Sequence, residues 1–276
     1  MNIGNLYALG AYVAWAVFPI YWKQLEHLDS LQLSSHRIVW SLLVLVVWMA
    51  ITRSLGEFKA KALTWQNIKV YGLAGLLLAT NWFIYLYAVT HGHILETSLG
   101  YFINPLVSVL LGVIFLRERM RPLQWVSTAL AFIGVLYLAI THGNVPYIAV
   151  GLALSFGLYG FMKKRSNLNS TFGLALETGV LFLPALGYIL YSESIGVPSF
   201  LSSDLRTQLL LLGAGLVTTV PLLMFAQAAQ RIPLSQLGFF QYVTPTVTFL
   251  LGVFLYGDPF DQTRLIGFAL VWLGLL

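Results

Sequence analysis

Leu99-Gly100-Tyr101-Phe102-Ile103-Asn104-Pro105, running on through Leu110-Leu111-Gly112-Val113 to Arg117-Glu118-Arg119, is an apolar stretch with a proline inside it. It is long enough for the ~20 residues a helix needs to cross a bilayer. It also has an echo, Gly238-Phe239-Phe240-Gln241-Tyr242-Val243-Thr244-Pro245, which runs on through Leu250-Leu251-Gly252-Val253 to Asp258. Pro105 and Pro245 are 140 residues apart, and so are the two Leu-Leu-Gly-Val quartets. Proline removes a backbone donor and displaces the carbonyl one turn back. Within lipid that is tolerated only where neighbouring helices, side chains or a wet cavity satisfy the freed group. Matched, interrupted spans in two halves of a membrane protein point to the binding site of a transporter.

Composition agrees with a chain that lies mostly in lipid. It is 58% hydrophobic and 9% charged, with a mean hydropathy of +0.81, against roughly 25% charged in ordinary soluble domains. With no cysteine, disulfides, thiolate chemistry and Cys metal sites are excluded. The first apolar run reads as a span and not a secretory signal, because Met1–Asn5 carries no basic residue. The fold class expected is all-α integral membrane, with ten spans near 4–22, 32–52, 67–90, 95–116, 122–141, 146–162, 171–191, 208–229, 234–256 and 262–276. The tenth run is short for a span, so the natural chain is expected to continue beyond it.

The repeat extends past the opening motif. At the same offset Ala74-Gly75-Leu76 matches Ala214-Gly215-Leu216, and at 141 Gly10 meets Gly151, Trp15 meets Phe156 and Lys23 meets Lys164. Spans 1–5 (residues 1–141) therefore repeat as spans 6–10 (residues 142–276), and an odd span count inverts the second copy. Inverted repeats place a substrate site near the midplane, with alternating access around it. Of the 15 basic residues, 11 fall in connections on the side of the N-terminus (Arg53, Lys59, Lys61, Lys69, Arg117, Arg119, Arg121, Lys163, Lys164, Arg165, Arg231). Three (Lys23, Arg206, Arg264) fall on the other side, and Arg37 lies within a span. Basic residues are retained in the cytoplasm, so both termini are expected there.

Depth follows from 1.5 Å of rise per residue. His36, Arg37, Asn81 and Asn104 fall in one outer layer about 8–10 Å down. Glu177, Thr178, Pro221 and Thr244, with Gln241, fall in an inner layer. Arg37 reads as the only cation inside a span and Glu177 as the only carboxylate well inside one. Such residues are costly and mark function by default. Two readings of Arg37 stand open: snorkelling to headgroups, or locking spans 2, 3 and 4 through Asn81 and Asn104. Glu177 reads equally as a proton-coupling group or as a hydrogen-bond hub with Gln227, Gln241 and Thr218 as neighbours. Aromatics crowd the spans that would line a cavity, Trp15, Tyr101 and Tyr159 foremost, although most membrane aromatics pack or form interfacial belts. His91, His93 and Glu96 resemble a metal cluster in residue type, but they sit at a connection where polar residues are expected. No Walker-type loop or HExxH sequence is present.

Several motifs carry a resemblance. They are His36-Arg37-Ile38-Val39-Trp40-Ser41, Asn81-Trp82, the run Glu96 to Leu106, Leu158-Tyr159-Gly160, Thr218-Thr219-Val220-Pro221-Leu222 and Gly238-Phe239-Phe240-Gln241-Tyr242. Together they resemble the RarD branch of the EamA-type permeases, in the drug/metabolite transporter superfamily. The resemblance covers essentially the whole chain. It implies ten helices in two inverted five-helix EamA repeats, a bacterial inner-membrane location and export of small metabolites or drugs; RarD-like proteins carry a chloramphenicol-sensitivity label. The small multidrug exporters of the superfamily use a glutamate in their first span. Spans 1 and 6 here contain no carboxylate, so that mechanism does not carry over directly.

The reading is a secondary transporter for a small organic solute, with the bilayer as its other partner and protons as the candidate coupling ion. Substrate-binding candidates are Trp15, His36, Arg37, Asn81, Tyr101, Asn104, Tyr159, Gln241 and Tyr242, and Glu177 is the coupling candidate. An aromatic, mostly uncharged cavity with Arg37 and amides at its mouth suits an amphipathic or carboxylate-bearing solute. No catalytic residue, cofactor, metal or nucleic acid is expected, and a monomer is compatible with the sequence. The alternatives are an uncoupled facilitator with the same site, or a membrane enzyme or sensor using His36, His91, His93 and Glu96.

Overall fold

Side chains that can accept from the free N–H groups of a first turn set most of the helix starts. Asn2, Asp29, Thr64, Asn169 and Asp204 each cap a helix in this way. The computed structural model describes residues 2–91, 93–142, 146–197 and 200–251, with Phe254 and Ala269. The helices are α1 (Ile3–Ala16), α2 (Phe18–Trp22), α3 (Ser30–Ile51), α4 (Leu55–Lys61), α5 (Trp65–Thr90), α6 (Ile94–Leu116) and α7 (Pro122–His142). After them come α8 (Tyr147–Lys164), α9 (Ser170–Ser194), α10 (Leu205–Arg231), α11 (Leu234–Gln241) and α12 (Val243–Leu251). A 3₁₀ turn, Lys23–Leu25, follows α2, and no strand occurs among the described residues.

Among the described residues six helical stretches are long and apolar enough to cross a membrane: Ile3–Leu25, Ser30–Ile51, Trp65–Ala88, Leu99–Leu116, Ser170–Ser194 and Leu205–Arg231. The expected fifth and sixth spans correspond to α7 and to α8, an 18-residue helix ending in Lys163-Lys164. The expected ninth is divided at Tyr242 into α11 and α12, and the tenth lies outside the described residues. The two proline copies therefore differ. Pro105 sits inside the continuous α6, whereas Pro245 sits in the first turn of α12, where its missing N–H has no partner to lose.

The helices of the two repeats interleave instead of forming separate bundles. α1 packs on α10 and α12, while its counterpart α8 packs on α5 and α6; α10 lies on α3 as α5 lies on α9. The Ala-Gly-Leu motif explains this last equivalence. A Cβ on Gly215 would lie 2.6 Å from the Trp40 carbonyl oxygen, and one on Gly75 would lie 2.8 Å from that of Glu177. Only glycine allows both backbone approaches.

The counterparts α6 and α11 cross antiparallel. Glu118, just past the end of α6, accepts from the backbone N–H of Leu234 (2.7 Å) and Ser235 (2.8 Å) at the start of α11. Toward the other ends, Tyr242 Oη donates to the Phe102 carbonyl at 3.4 Å.

The buried core is rich in small residues, Ala8, Ala11, Ala74, Ala153, Ala214, Ala226, Ala228 and Ala229 among them. Large apolar side chains such as Val47, Trp48, Ile51, Phe115 and Leu183 are exposed on the perimeter. Small inside and large outside is the arrangement of helices packed in lipid.

Candidate functional site

Three contacts fix the two ends of the bundle. Lys164 Nζ donates to the Ile232 carbonyl at 2.7 Å, and Ile232 also lies against Gly4, so the α8–α9 connection shares an end with the start of α1. Tyr21 Oη donates to the Leu210 carbonyl, which places the α2–α3 connection at the opposite end.

At the α2–α3 end stands Arg37, partly exposed. Its Nε donates to Thr218 Oγ1 at 3.1 Å. Its guanidinium carbon lies 4.4 Å from the centroid of the Trp82 ring and 4.9 Å from that of Trp22. Each ring contact contributes about 0.5–2 kcal/mol, less than the several kcal/mol that removing an ion from water costs. The phenols of Tyr85 and Tyr101 lie within electrostatic reach of the same guanidinium, and their rings are 6.4 Å apart. Tyr85 and Tyr101 keep 42% and 44% of their surface accessible. Side chains of α2, α3, α5, α6 and α10 thus gather around Arg37 at this end, with accessible surface on Arg37, Tyr85 and Tyr101.

Below it lies a layer of rings. Trp15 meets its repeat counterpart Phe156 edge-on at 5.8 Å, and both pack on Phe225, at 5.6 and 5.2 Å, with Tyr12 and Tyr159 completing the layer. Phe225 is seven residues beyond Thr218 on α10, roughly 10 Å further along the helix.

Past this layer, the α8–α9 end is closed by an ion pair. Lys163 Nζ donates to Glu177 Oε1 at 2.6 Å, and Tyr159 Oη donates to Oε2 at 3.1 Å. Both charged side chains are 1% exposed. The expectation that Arg37 is the only cation inside a span is thus corrected, because Lys163 belongs to the last turn of α8 and points inward. Gln227, Gln241 and Thr218 are not the neighbours of Glu177; Thr218 serves Arg37, Gln227 accepts from Arg231 and Gln241 bonds Ser108.

The other expected residues divide. Asn81 does not reach Arg37; its Nδ2 donates to the Leu152 carbonyl (2.9 Å) and Ser155 Oγ (3.0 Å), tying α5 to α8. Asn104 is buried with Oδ1 unpartnered among the described residues, and the same holds for Gln241 Oε1 and the Tyr12 hydroxyl. Gln241 Nε2 donates to Ser108 Oγ at 2.8 Å. His36 has its ring near those of Trp40 and Phe200 and accepts from Trp40 Nε1 at 3.2 Å. Tyr242 packs with Leu99, Phe102 and Leu106. Of the residues around Arg37, Trp22 was not singled out from the sequence, and Thr218 was expected beside Glu177 instead.

Glu96 has a packing role. Its Oε2 accepts from the Ile148 N–H in the first turn of α8 at 3.2 Å, and its Oε1 pairs with His93 at 3.3 Å. Among the described residues no group of three or more His, Asp or Glu side chains converges on one point. A shallow apolar cleft lined by Phe83, Ile84, Tyr87, Tyr147 and Ile148 carries no chemistry of its own.

The sequence of the EamA-like transporter family matches residues 2–140 and again 146–276. The uncharacterized transporter YojE of Bacillus subtilis is 43% identical over 99% of this chain and 92% of its own length. Protein RarD of Escherichia coli is 41% identical, and the chloramphenicol-sensitive protein RarD of Pseudomonas aeruginosa 30%, each over 99% of this chain and 92% of its own. A solved crystal structure, 18% identical, shares the fold with a TM-score of 0.74 over 99% of this chain and 95% of its own. The two family matches, which together span nearly all of the chain, and relatives up to 43% identical over 99% of it establish that this chain belongs to the EamA-like transporter family.

Proposed function

We propose that the chain is a secondary transporter of the bacterial inner membrane that moves a small organic solute by alternating access. In this reading residues 1–141 and 142–276 are two inverted five-helix repeats, ten spans in all, with both termini cytoplasmic. The antiparallel crossing of α6 and α11 supports inversion, because helices related by an axis along the membrane normal would run parallel. The basic residues, 11 against 3, support the orientation.

The observation that carries the reading is the asymmetry between the two ends. Arg37 and Tyr101 keep accessible surface at one end, whereas at the other the ring layer of Trp15, Phe156 and Phe225 is followed by the buried Lys163–Glu177 pair; we read the first end as the mouth of a cleft and the second as closed. That is one state of a two-state carrier, open at the α2–α3 end. Solute enters between α3, α5 and α6 and rests on Trp15 and Phe156; Asn104, one turn beyond Tyr101, and Gln241 supply hydrogen bonds. The return movement closes this end and, by shifting α8 against α9 within the second repeat, separates Lys163 from Glu177 at the other. Proton coupling acts at that pair: the released Glu177 carboxylate takes a proton from the side that has just opened, and gives it up toward the re-opening cleft as Lys163 re-forms the pair.

The test is a comparison of everted vesicles bearing the chain with vesicles lacking it, both incubated with a bacterial metabolite extract. Mass spectrometry of the lumen should show at least one small organic solute enriched by the chain. Equal contents would overturn the reading. An uncoupled facilitator would use the same cleft, and it is separated by the Glu177→Gln measurement set out in the Discussion.

A further inference from the structure

We infer that the Arg37 cleft is an anion subsite, and that the transported solutes are small organic monoanions with a flat body, the carboxylate held by Arg37. This rests on the transporter reading and names the substrate class of its site.

The inference comes from comparing the two ends of one molecule. At the α8–α9 end the protein supplies both charges: Lys163 and Glu177 neutralise each other at 2.6 Å. At the α2–α3 end the repeat-equivalent region supplies one. Trp22 corresponds to Lys163 at an offset of 141, and Arg37 to Glu177 at 140. The cation there faces two indole rings where the other end has a carboxylate.

No ion pair involving Arg37 forms among the described residues. The described acidic side chains are engaged elsewhere. Asp29 and Asp204 cap α3 and α10, Glu57 pairs with Lys61, Glu96 and Glu118 hold the starts of α8 and α11, and Glu193 accepts from Leu201. Glu26 lies exposed beyond the 3₁₀ turn.

The hydrogen-bonding inventory agrees. A guanidinium carries five N–H donors in one plane, and among the described residues only Nε is used, toward Thr218. The rings of Trp22 and Trp82 face its charge, and among the described residues the terminal N–H groups have no acceptor. Tyr85 and Tyr101, whose rings are 6.4 Å apart and whose hydroxyls can also donate, lie within electrostatic reach of the same guanidinium. A cluster of donors open to a cleft is matched by an acceptor with two oxygens, and arginine favours carboxylate and phosphate for this reason. The walls choose the rest of the solute: Trp22, Trp82, Tyr85 and Tyr101 are all planar, so a flat body fits between them. A single fixed cation suits one negative charge, since a second would enter the cleft uncompensated.

A lipid phosphate has the same chemistry as a solute carboxylate at this donor set, and the experiment separates them. The full chain in phosphatidylcholine nanodiscs is titrated with benzoate, with benzamide of the same shape and with trimethylanilinium, followed by tryptophan fluorescence. Benzoate should bind at least about tenfold more tightly than the other two, the scale of one charge-assisted contact. Arg37→Gln should bring benzoate down to the level of benzamide, with benzamide unchanged. Tyr101→Phe, which keeps the ring, should weaken benzoate severalfold and serves if Arg37→Gln does not fold.

Equal binding of benzoate and benzamide by the parent, binding of neither, or a benzoate preference that survives both substitutions would overturn the proposal. So would loss of benzoate binding when phosphatidylglycerol replaces phosphatidylcholine, because a lipid headgroup would then be the occupant. A neutral or cationic solute enriched in the vesicle assay would refute the anion subsite and leave the transporter reading standing, whereas no enriched solute would remove both.

Discussion

Lys163 and Glu177 form a buried ion pair, and their burial makes the energetics testable. Removing one partner of a buried pair leaves an uncompensated charge and costs about 3–5 kcal/mol, whereas replacing both by apolar residues is often neutral. Glu177→Gln keeps the shape but leaves Lys163 unpaired, so it should lower the thermal midpoint in detergent, and Lys163→Met combined with Glu177→Leu should restore most of it. The same Glu177→Gln variant, reconstituted in liposomes, should still exchange solute but lose accumulation driven by a pH gradient. Accumulation equal to the parent would favour the uncoupled facilitator.

Legibility at this scale was uneven. Arg37 stood out because a cation inside an apolar run has no local explanation. Lys163 did not, because a lysine in the last turn of a helix reads like one in the following connection. Asn81 and Asn104 were assigned to Arg37 from depth alone. Counting along a span gives height, but rotation about the axis, 100° per residue, decides the neighbour; Asn81 is turned to α8 and Asn104 is not bonded to Arg37.

At the scale of helices, the all-helical membrane character was readable in the sequence, because long apolar runs separated by polar turns leave few alternatives; six of the ten expected spans are long and apolar enough among the described residues. What could not be read was how each helix behaves at its proline. α6 passes through Pro105 unbroken while α11 and α12 part at Tyr242.

The glycine contacts make a sharper prediction. Gly215→Ala places a methyl 2.6 Å from the Trp40 carbonyl oxygen, so α3 and α10 must separate, at a cost of about 1–3 kcal/mol. Gly179, on the exposed side of α9, has no atom within 4 Å of a built Cβ. Gly179→Ala should be neutral or stabilising by up to about 1 kcal/mol through helix propensity. Thermal unfolding of the purified variants checks both, and equal behaviour of the two would contradict the close-packing account.

The whole molecule is two repeats threaded through each other, and the offset of 140 residues made the repetition visible while leaving the interleaving hidden. Sequence similarity says that α1 corresponds to α8; it does not say that each packs mainly on the other repeat. Because the chain has no cysteine, single thiols can report the proposed motion without background. Phe18→Cys, near the open end, and Met162→Cys, near the closed one, should change their reactivity toward a membrane-impermeant maleimide in opposite directions when a transported solute is added. Parallel changes would argue against alternating access.

The lone cation has one further consequence, for the response of the carrier to voltage. In alternating access a fixed side chain need not travel, since the water-filled route to it switches sides and the electric field is applied across a different layer. An empty cleft then carries one positive charge between the two potentials, worth up to about 2.3 kcal/mol per 100 mV, whereas a cleft holding a monoanion carries none. A negative cell interior therefore draws the empty carrier toward its inward-facing state and leaves the loaded one indifferent. Current relaxations after a voltage step should be present without solute and vanish when the cleft is saturated.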